Sequence, residues 1–226
     1  MNWWRQMKWP GDLLALSLAL MFAAGCATSE SGSQTARPGD GLREYQRLVL
    51  DLSQDVTRTR QTVEALAVAT RKDSEAAYAR FDESLQRLEV VSIKARARVE
   101  AMEKRGEAYF EEWTDEMSAA TDEASRRAAR ERFAELHRHF EAILKNTAQV
   151  RQQFRPFLEG LRQLRTTLGP KPTFEAIEQA RPDCTQVISD GQQAVAAMDQ
   201  LLRTLKTAEA AVMSGPLPAV KPGGKS

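Results

Sequence analysis

The apolar residues of this chain recur, from position 42 onward, at alternating spacings of three and four residues. The first series runs through Leu42, Tyr45, Val49, Leu52, Val56, Thr59, Val63 and Leu66. Such a spacing places one side chain per turn on the same side of an α-helix, so the series predicts a helix with one apolar stripe. Three further series follow along the chain, and together they predict an all-α protein.

Two changes of phase divide the central part of the chain into separate helices. The second series contains Tyr78, Phe81, Leu85, Leu88, Ala95, Met102, Gly106, Tyr109 and Trp113, and it is out of phase with the first. The third series spans residues 133–168 and is out of phase with the second. Asp73 or Ser74 can cap the second helix, and Thr121 or Asp122 can cap the third. Each change of phase therefore predicts a turn.

Glycine and proline mark where the third helix ends and the last one begins. Gly169 and Pro170 supply a typical helix stop. A short helical piece is expected from Thr173 to about 180. Pro182 breaks it, and the last series follows over residues 184–212. Pro156 lies within the third helix and is expected to kink it. The fold predicted is an elongated antiparallel helical hairpin, or a coiled-coil bundle of about four helices, over residues 42–213.

The hairpin between the second and third helices is predicted to turn near Ala120. That register places Gly106 opposite Leu136, and Tyr109 opposite Phe133. Trp113 is either packed inside the hairpin or a hot spot for a partner, and its phase with Tyr109 favours packing. Carboxylates at 111–116 and arginines at 126–130 oppose their own helix dipoles, so they are expected to pair across the turn.

Residues 1–25 have the organisation of a signal peptide. Arg5 and Lys8 precede an apolar run, Leu13–Ala24, that is shorter than the roughly 20 residues a membrane span needs. The residues from Phe22 to Cys26 resemble the lipobox of bacterial lipoproteins, which implies that Cys26 is acylated and anchors the chain in a membrane. A plain secretory signal is the alternative.

The residues after Cys26 are expected to be a flexible tether over 26–41, because they contain no large apolar side chain. In lipoproteins an aspartate after the cysteine commonly retains the product at the inner membrane, and here Ala27 and Thr28 follow instead. The resemblance thus implies the periplasmic face of the outer membrane. Residues 214–226 are rich in proline and glycine and are expected to be disordered.

The charge balance argues against nucleic acid as a partner. Without residues 1–25 the chain has equal numbers of basic and acidic residues. Proteins that bind nucleic acid usually carry a basic excess, because neutralising phosphates supplies most of the non-specific affinity.

No arrangement of residues predicts catalysis, a metal or a cofactor. His137 and His139 are two positions apart, which points them to different sides of a helix. Phosphate-binding loops, nucleophile elbows and cysteine–histidine motifs are not present in the sequence. Cys184 lies on an apolar stripe, where it is either buried as a small apolar group or paired with another chain. We therefore expect a protein that is not an enzyme.

Several short segments resemble a bacterial lipoprotein family known as domain of unknown function 2959. These segments are Phe110-Glu111-Glu112-Trp113, Asp115-Glu116, the arginine-rich turn from Arg126, Phe154-Arg155-Pro156-Phe157-Leu158 and Leu161-Arg162. The resemblance covers roughly residues 100–205 and the lipobox. It implies helices and a membrane anchor, and it implies no particular activity.

The function expected is that of an envelope adaptor, a structural or protein-interaction module without catalytic activity. It would present polar helix faces and the tail with Lys221 and Lys225 to envelope proteins or the cell wall. A carrier of an apolar ligand or lipid is the alternative, with helices parted around a cavity near Gly106, Pro156 or Gly191. Large apolar residues at nearly every level of the series favour the adaptor, because they leave no obvious void.

Overall fold

The computed structural model describes residues 38–119 and 122–214, and these residues contain helices and no strands. The helices are α1 (Pro38–Ala67), α2 (Ser74–Ala119), α3 (Glu123–Leu168), α4 (Phe174–Gln179) and α5 (Arg181–Met213). They belong to one compact unit, Thr35–Ser226. The signal peptide, residues 26–37 of the tether, Cys26 and residues 215–226 of the tail lie outside the described residues.

The four long helices form a ring in which each packs most extensively against two neighbours. α5 packs against both α1 and α3, α1 also packs against α2, and α2 packs against α3. Successive long helices run antiparallel, as shown by Thr59 of α1 beside Ser84 of α2 and by Arg43 of α1 beside Glu209 of α5. The prediction of an all-α bundle of about four helices is therefore confirmed, and the first and last helices complete the bundle.

The core of the bundle is built from the predicted stripes. Its largest fully buried side chains are Trp113, Phe81, Phe157, Leu66, Leu85, Leu88, Leu161, Leu164, Ile177, Met198, Leu201 and Leu205. Each buried leucine or phenylalanine contributes about 1.5–3 kcal/mol by leaving water, so these side chains are the main stabilising term. Cys184 is fully buried among them, as the interpretation of a small apolar group requires.

The first helix begins earlier than the apolar pattern indicates. It starts at Pro38, so residues 38–41 belong to α1 and not to the tether. Proline is tolerated in a first turn because the backbone N–H it lacks has no partner there. Asp40 in the same turn is favourable to the helix dipole. The sequence contains these start signals, but they precede the first apolar residue of the stripe.

Two of the three predicted boundaries are capped as expected. Asp122 accepts a hydrogen bond from the backbone N–H of Ser125 at 2.8 Å, which caps α3. Gly169 ends α3 with a φ of 67° and donates its N–H to the carbonyl of Arg165. At the start of α2, the side chain of Asp73 turns back instead and accepts from the N–H and hydroxyl of Thr70, both at 2.6 Å. It therefore closes the turn before α2.

The register between α2 and α3 differs from the prediction. Gly106 lies against Phe140, one helical turn beyond the predicted Leu136, and Phe133 packs on Phe110 and Trp113. Side chains lean toward the amino terminus of their own helix. In an antiparallel pair, the side chains of α2 lean away from the turn and those of α3 lean toward it. Contacts therefore join residues of α3 that lie further from the turn than backbone counting suggests.

The expected ion pairs across the α2–α3 turn are not formed by the side chains that the structure describes. Arg126 pairs with Glu123 at 2.6 Å and Arg127 with Glu131 at 3.3 Å, both within α3. Pairs three or four residues apart need no particular distance between two helices. This part of the sequence interpretation is wrong for Arg126 and Arg127, because each has a partner on the same helix.

Candidate functional site

An apolar cleft of about 260 Å³ lies where all four long helices meet. The first turns of α1, the carboxyl-terminal half of α2, the amino-terminal half of α3 and the last turns of α5 each contribute to it. The residues that line it are Gly41, Leu42, Tyr45, Met102, Glu103, Arg105, Gly106, Tyr109, Phe110, Leu136, His139, Phe140, Ile143, Leu144, Ala208 and Val212. Most of these side chains are aliphatic or aromatic, so the cleft favours an apolar occupant.

The cleft exists because two of the helices stop while the other two continue. The carboxyl end of α5 lies level with Arg132, whose guanidinium donates to the carbonyl of Ala211 at 2.6 Å. α3 begins at Glu123, well before Arg132, and α2 runs on to Ala119. Of the described residues, only those of α2 and α3 continue beyond this level, and they leave space between them at the end of the bundle.

Phe140 forms one wall of the cleft directly against the backbone of Gly106. A Cβ atom built at position 106 would lie 2.3 Å from Cε2 of Phe140, which is far closer than two carbon atoms approach. The ring can take this position only because residue 106 has no side chain. Gly106 thereby holds the wall back and keeps the cleft open.

The base of the cleft is uncharged. The hydroxyl groups of Tyr45 and Thr147 are 2.7 Å apart, and the hydroxyl of Thr147 also donates to the carbonyl of Ile143 at 2.8 Å. Thr147 has one hydroxyl hydrogen, so Tyr45 donates to Thr147. Burial raises the pKa of Tyr45 to about 12, and the phenol stays neutral at physiological pH.

The charged groups of the cleft are arranged around the apolar lining. Both carboxylate oxygens of Glu103 accept from the guanidinium of Arg151, each at 2.8 Å. This pairing neutralises the one carboxylate among the lining residues. Arg105 is exposed, and within the described residues it makes no ion pair. An amphiphile with an apolar body and an anionic end would match both features.

An aromatic cluster lies beside the cleft, toward the α2–α3 turn. Trp113 is only 1% exposed and has Phe133 and Tyr109 at ring distances of 5.5 and 5.8 Å. The prediction that Trp113 packs inside the hairpin is therefore confirmed. Phe110 lies 5.3 Å from Phe140, so the cluster is continuous with the wall of the cleft.

The two histidines lie in different surroundings. His137 stacks on the ring of Phe133 at 5.3 Å, and its Nδ1 is 3.7 Å from a carboxylate oxygen of Glu141. His139 lines the cleft. In the described part of the chain, no group of three histidine, cysteine or acidic residues is placed to hold a metal ion.

Of the three positions at which the sequence suggested loosened packing, one borders the cleft. Gly106 is that position, whereas Gly191 is buried beneath the ring of Phe157. Pro156 is exposed on α3, which continues on both sides of it. The expectation that the apolar series leave no void is wrong at the level of Gly106. The apolar series predict which side chains of a helix face inward. They do not predict where along that helix a neighbouring helix ends.

Among helices of the described residues, none has the length and apolar character to span a bilayer. Neither the curated proteins nor the solved structures contain a match to this chain. A family model described as "Protein of unknown function (DUF2959)" matches residues 49–212, which include most of α1 as well as the region from 100 to 205. The chain therefore belongs to the DUF2959 family.

Proposed function

We propose that this chain is a lipoprotein of the bacterial envelope, anchored through acylated Cys26, whose helical bundle binds an apolar ligand. The observation that carries the proposal is the apolar cleft of about 260 Å³ lined by all four long helices. Binding sites for small molecules usually begin at about 300 Å³, so the cleft suits a slender ligand such as a single acyl chain. The proposed role is binding without catalysis.

The charge distribution supports an anionic amphiphile as the class of ligand. The apolar lining would take the acyl chain, and Arg105 at the rim would face the charged end. Glu103 does not oppose this arrangement, because Arg151 neutralises its carboxylate. A fatty acid or a lysophospholipid, each with one acyl chain, has the required chemistry.

The anchor and the location rest on the sequence. The segment from Phe22 to Cys26 supports acylation, and Ala27 and Thr28 support the periplasmic face of the outer membrane. Several acyl chains on one cysteine would make the attachment stable, since a single chain binds a bilayer only marginally. Metabolic labelling with a palmitate analogue, compared between the native chain and Cys26→Ser, tests the anchor.

A fluorescent fatty acid, cis-parinaric acid, tests the cleft directly. Its fluorescence should rise on binding to the native chain, and the affinity should fall at least tenfold in Gly106→Ala. The added methyl group occupies the space of the Phe140 ring, which must move into the cleft. Gly41→Ala is the matched control, because position 41 also lines the cleft but has no atom within 4 Å of a built Cβ.

The binding affinities can be compared directly if both variants keep the circular dichroism spectrum of the native chain. Equal binding by the native chain, Gly41→Ala and Gly106→Ala would place the ligand elsewhere. No binding by any of them would leave the carrier role without support.

The adaptor role expected from the sequence stays a separate prediction. Crosslinking in cells followed by mass spectrometry, comparing the native chain with Cys26→Ser, distinguishes it from the carrier. Reproducible protein partners that are lost with the anchor would favour the adaptor. Co-purified lipid without a protein partner would favour the carrier.

A further inference from the structure

α2 carries a second apolar stripe on the side that faces away from the core. Val90 is 53% exposed and Ile93 is 70% exposed, and both are among the few large apolar side chains that solvent reaches. Ala97 and Ala101 continue the stripe and are also exposed. Their spacing of three and four residues places them on one side of the helix. None of the described helices covers this side.

Four cationic side chains lie among these apolar residues. Lys94, Arg98, Lys104 and Arg105 are exposed, and none forms an ion pair with another residue of the described chain. At 3.6 residues per turn, the apolar and cationic positions together occupy a sector of about 140°. We call this surface the α2 outer face, comprising Val90, Ile93, Lys94, Ala97, Arg98, Ala101, Lys104 and Arg105.

The acidic residues in this stretch of α2 form ion pairs with arginines that are not part of the α2 outer face. Glu89 accepts from Arg162 at 2.7 Å and from Arg165 at 3.4 Å. Glu103 is held by Arg151, which is also on α3. Glu100 pairs with Arg96 at 2.9 Å. The three acidic residues between positions 89 and 105 thus pair with arginines, and the α2 outer face carries a net positive charge although the whole chain is almost neutral.

We propose that the α2 outer face docks on an anionic lipid surface. Isoleucine and valine side chains can enter the boundary between head groups and acyl chains, while lysine and arginine extend their charged ends to the phosphates. A partner helix in a groove would require large anchors at successive turns. Here the two large side chains give way to alanines after a single turn, which suits shallow contact with a fluid surface.

The inference does not depend on a ligand in the cleft. It uses the outward side of α2, whereas the cleft lies on the inward side of the same helix, and only Arg105 is shared. The test below leaves Arg105 and the cleft unchanged. Failure of one proposal therefore does not imply failure of the other.

The experiment reports which face of the full chain touches the bilayer. An environment-sensitive fluorophore is attached at Ile93→Cys or, as the matched control, at Val68→Cys, whose native side chain is 76% exposed at the end of α1. Both chains carry Cys26→Ser to remove the acylation site, and Cys184 is buried and stays unlabelled. Vesicles of phosphatidylcholine with phosphatidylglycerol are compared with phosphatidylcholine alone.

We expect a blue shift at position 93 with the anionic vesicles only. Molar salt should abolish it, because the Debye length falls to about 3 Å. Each basic residue near an anionic surface contributes about fivefold in affinity, so Lys94→Glu with Arg98→Glu should weaken binding at least tenfold. Lys72→Glu with Lys171→Glu makes the same change of charge at other exposed positions and should leave the shift in place.

Three results would overturn the inference. The first is a shift of equal size at positions 68 and 93, and the second is no shift at position 93. The third is a shift that appears only when envelope proteins are added, which would assign the face to a protein partner.

Discussion

The effect of substituting a glycine in this bundle depends on the space that is available to the added Cβ atom. A Cβ atom at Gly106 or at Gly191 would come within 3 Å of a phenylalanine ring. The ring beside Gly106 borders a cleft, whereas Phe157 beside Gly191 is fully buried. The first ring has space into which it can move, and the second has none. The same substitution should therefore affect binding at one site and stability at the other.

Gly191→Ala should lower the stability of the bundle. Overpacking a core costs about 1–3 kcal/mol, which exceeds the roughly 1 kcal/mol gained when alanine replaces glycine in a helix. Denaturant unfolding measures the difference. Gly41→Ala is the control, since nothing lies near its built Cβ, and its stability should equal or exceed that of the native chain.

The thiol of Cys184 and the phenol of Tyr45 are buried weak acids, and they make the stability of the bundle sensitive to alkaline pH. Burial raises the pKa of Cys184 from 9.0 to about 11, and burial raises that of Tyr45 from 10.0 to about 12. Between pH 9 and 12 the unfolded chain loses protons that the folded chain retains, so the free energy of unfolding falls as pH rises. Stability at pH 7 should be unaffected by these groups.

Unfolding measured at pH 8 and at pH 10.5, in the native chain and in Cys184→Ala, separates the contribution of the thiol. The decrease between the two pH values should be smaller in Cys184→Ala. An identical decrease would show that folding does not raise the pKa of the thiol.

For the single helices, local sequence signals predicted well where a helix ends. They predicted less well which sides of the helix are buried. The stop at Gly169 and the cap at Asp122 depend on residues within one turn, and the sequence contains those residues. The apolar stripe of α5 is wider than predicted, because Val187, Ala194 and Leu201 are buried as well. α5 contacts both α1 and α3, and a single apolar series cannot show that a helix has two neighbours.

The carboxyl end of α5 depends on a side chain from another helix. Arg132 of α3 donates to the carbonyls of Ala211 and Val212, and the carbonyl of Ala211 also accepts from the N–H and the hydroxyl of Ser214, the residue that caps the helix. Arg132→Ala should leave them without this partner and fray the last turn of α5. Hydrogen bonds to charged groups contribute about 1.5–3 kcal/mol, so the effect is measurable.

Amide hydrogen exchange over residues 205–213 is the measurement for this prediction. Protection should fall in Arg132→Ala and remain in Arg138→Ala, because the guanidinium of Arg138 donates to Ala134 of its own helix. Unchanged exchange in both variants would show that Arg132 does not secure the end of α5.

For the whole molecule, the sequence predicted the number of long helices and named Gly106 as one of three places where packing could loosen, but it did not predict that all four long helices line a cleft there. Each series of apolar residues gives the inward side of one helix. The cleft arises because α1 begins and α5 ends part of the way along α2 and α3. The relative position of these helix ends depends on contacts between residues about 170 positions apart, such as Arg43 and Glu209. A local sequence pattern cannot predict such contacts.

Removal of α5 should abolish cooperative folding of the remaining helices. A chain that ends at Ala180 would expose Leu161 and Phe157 of α3 and Val63 of α1, all of which are fully buried in the bundle. We expect a loss of the sharp thermal transition by circular dichroism. A chain that ends at Ser214 retains α5 and should keep the transition.

The closure of the ring by α5 also determines when the protein can fold. Among the described helices α5 is the last to be synthesised, and until then α1 and α3 each lack a neighbour against which to bury apolar side chains. The bundle described here can therefore gain its complete tertiary structure only after α5 has been synthesised.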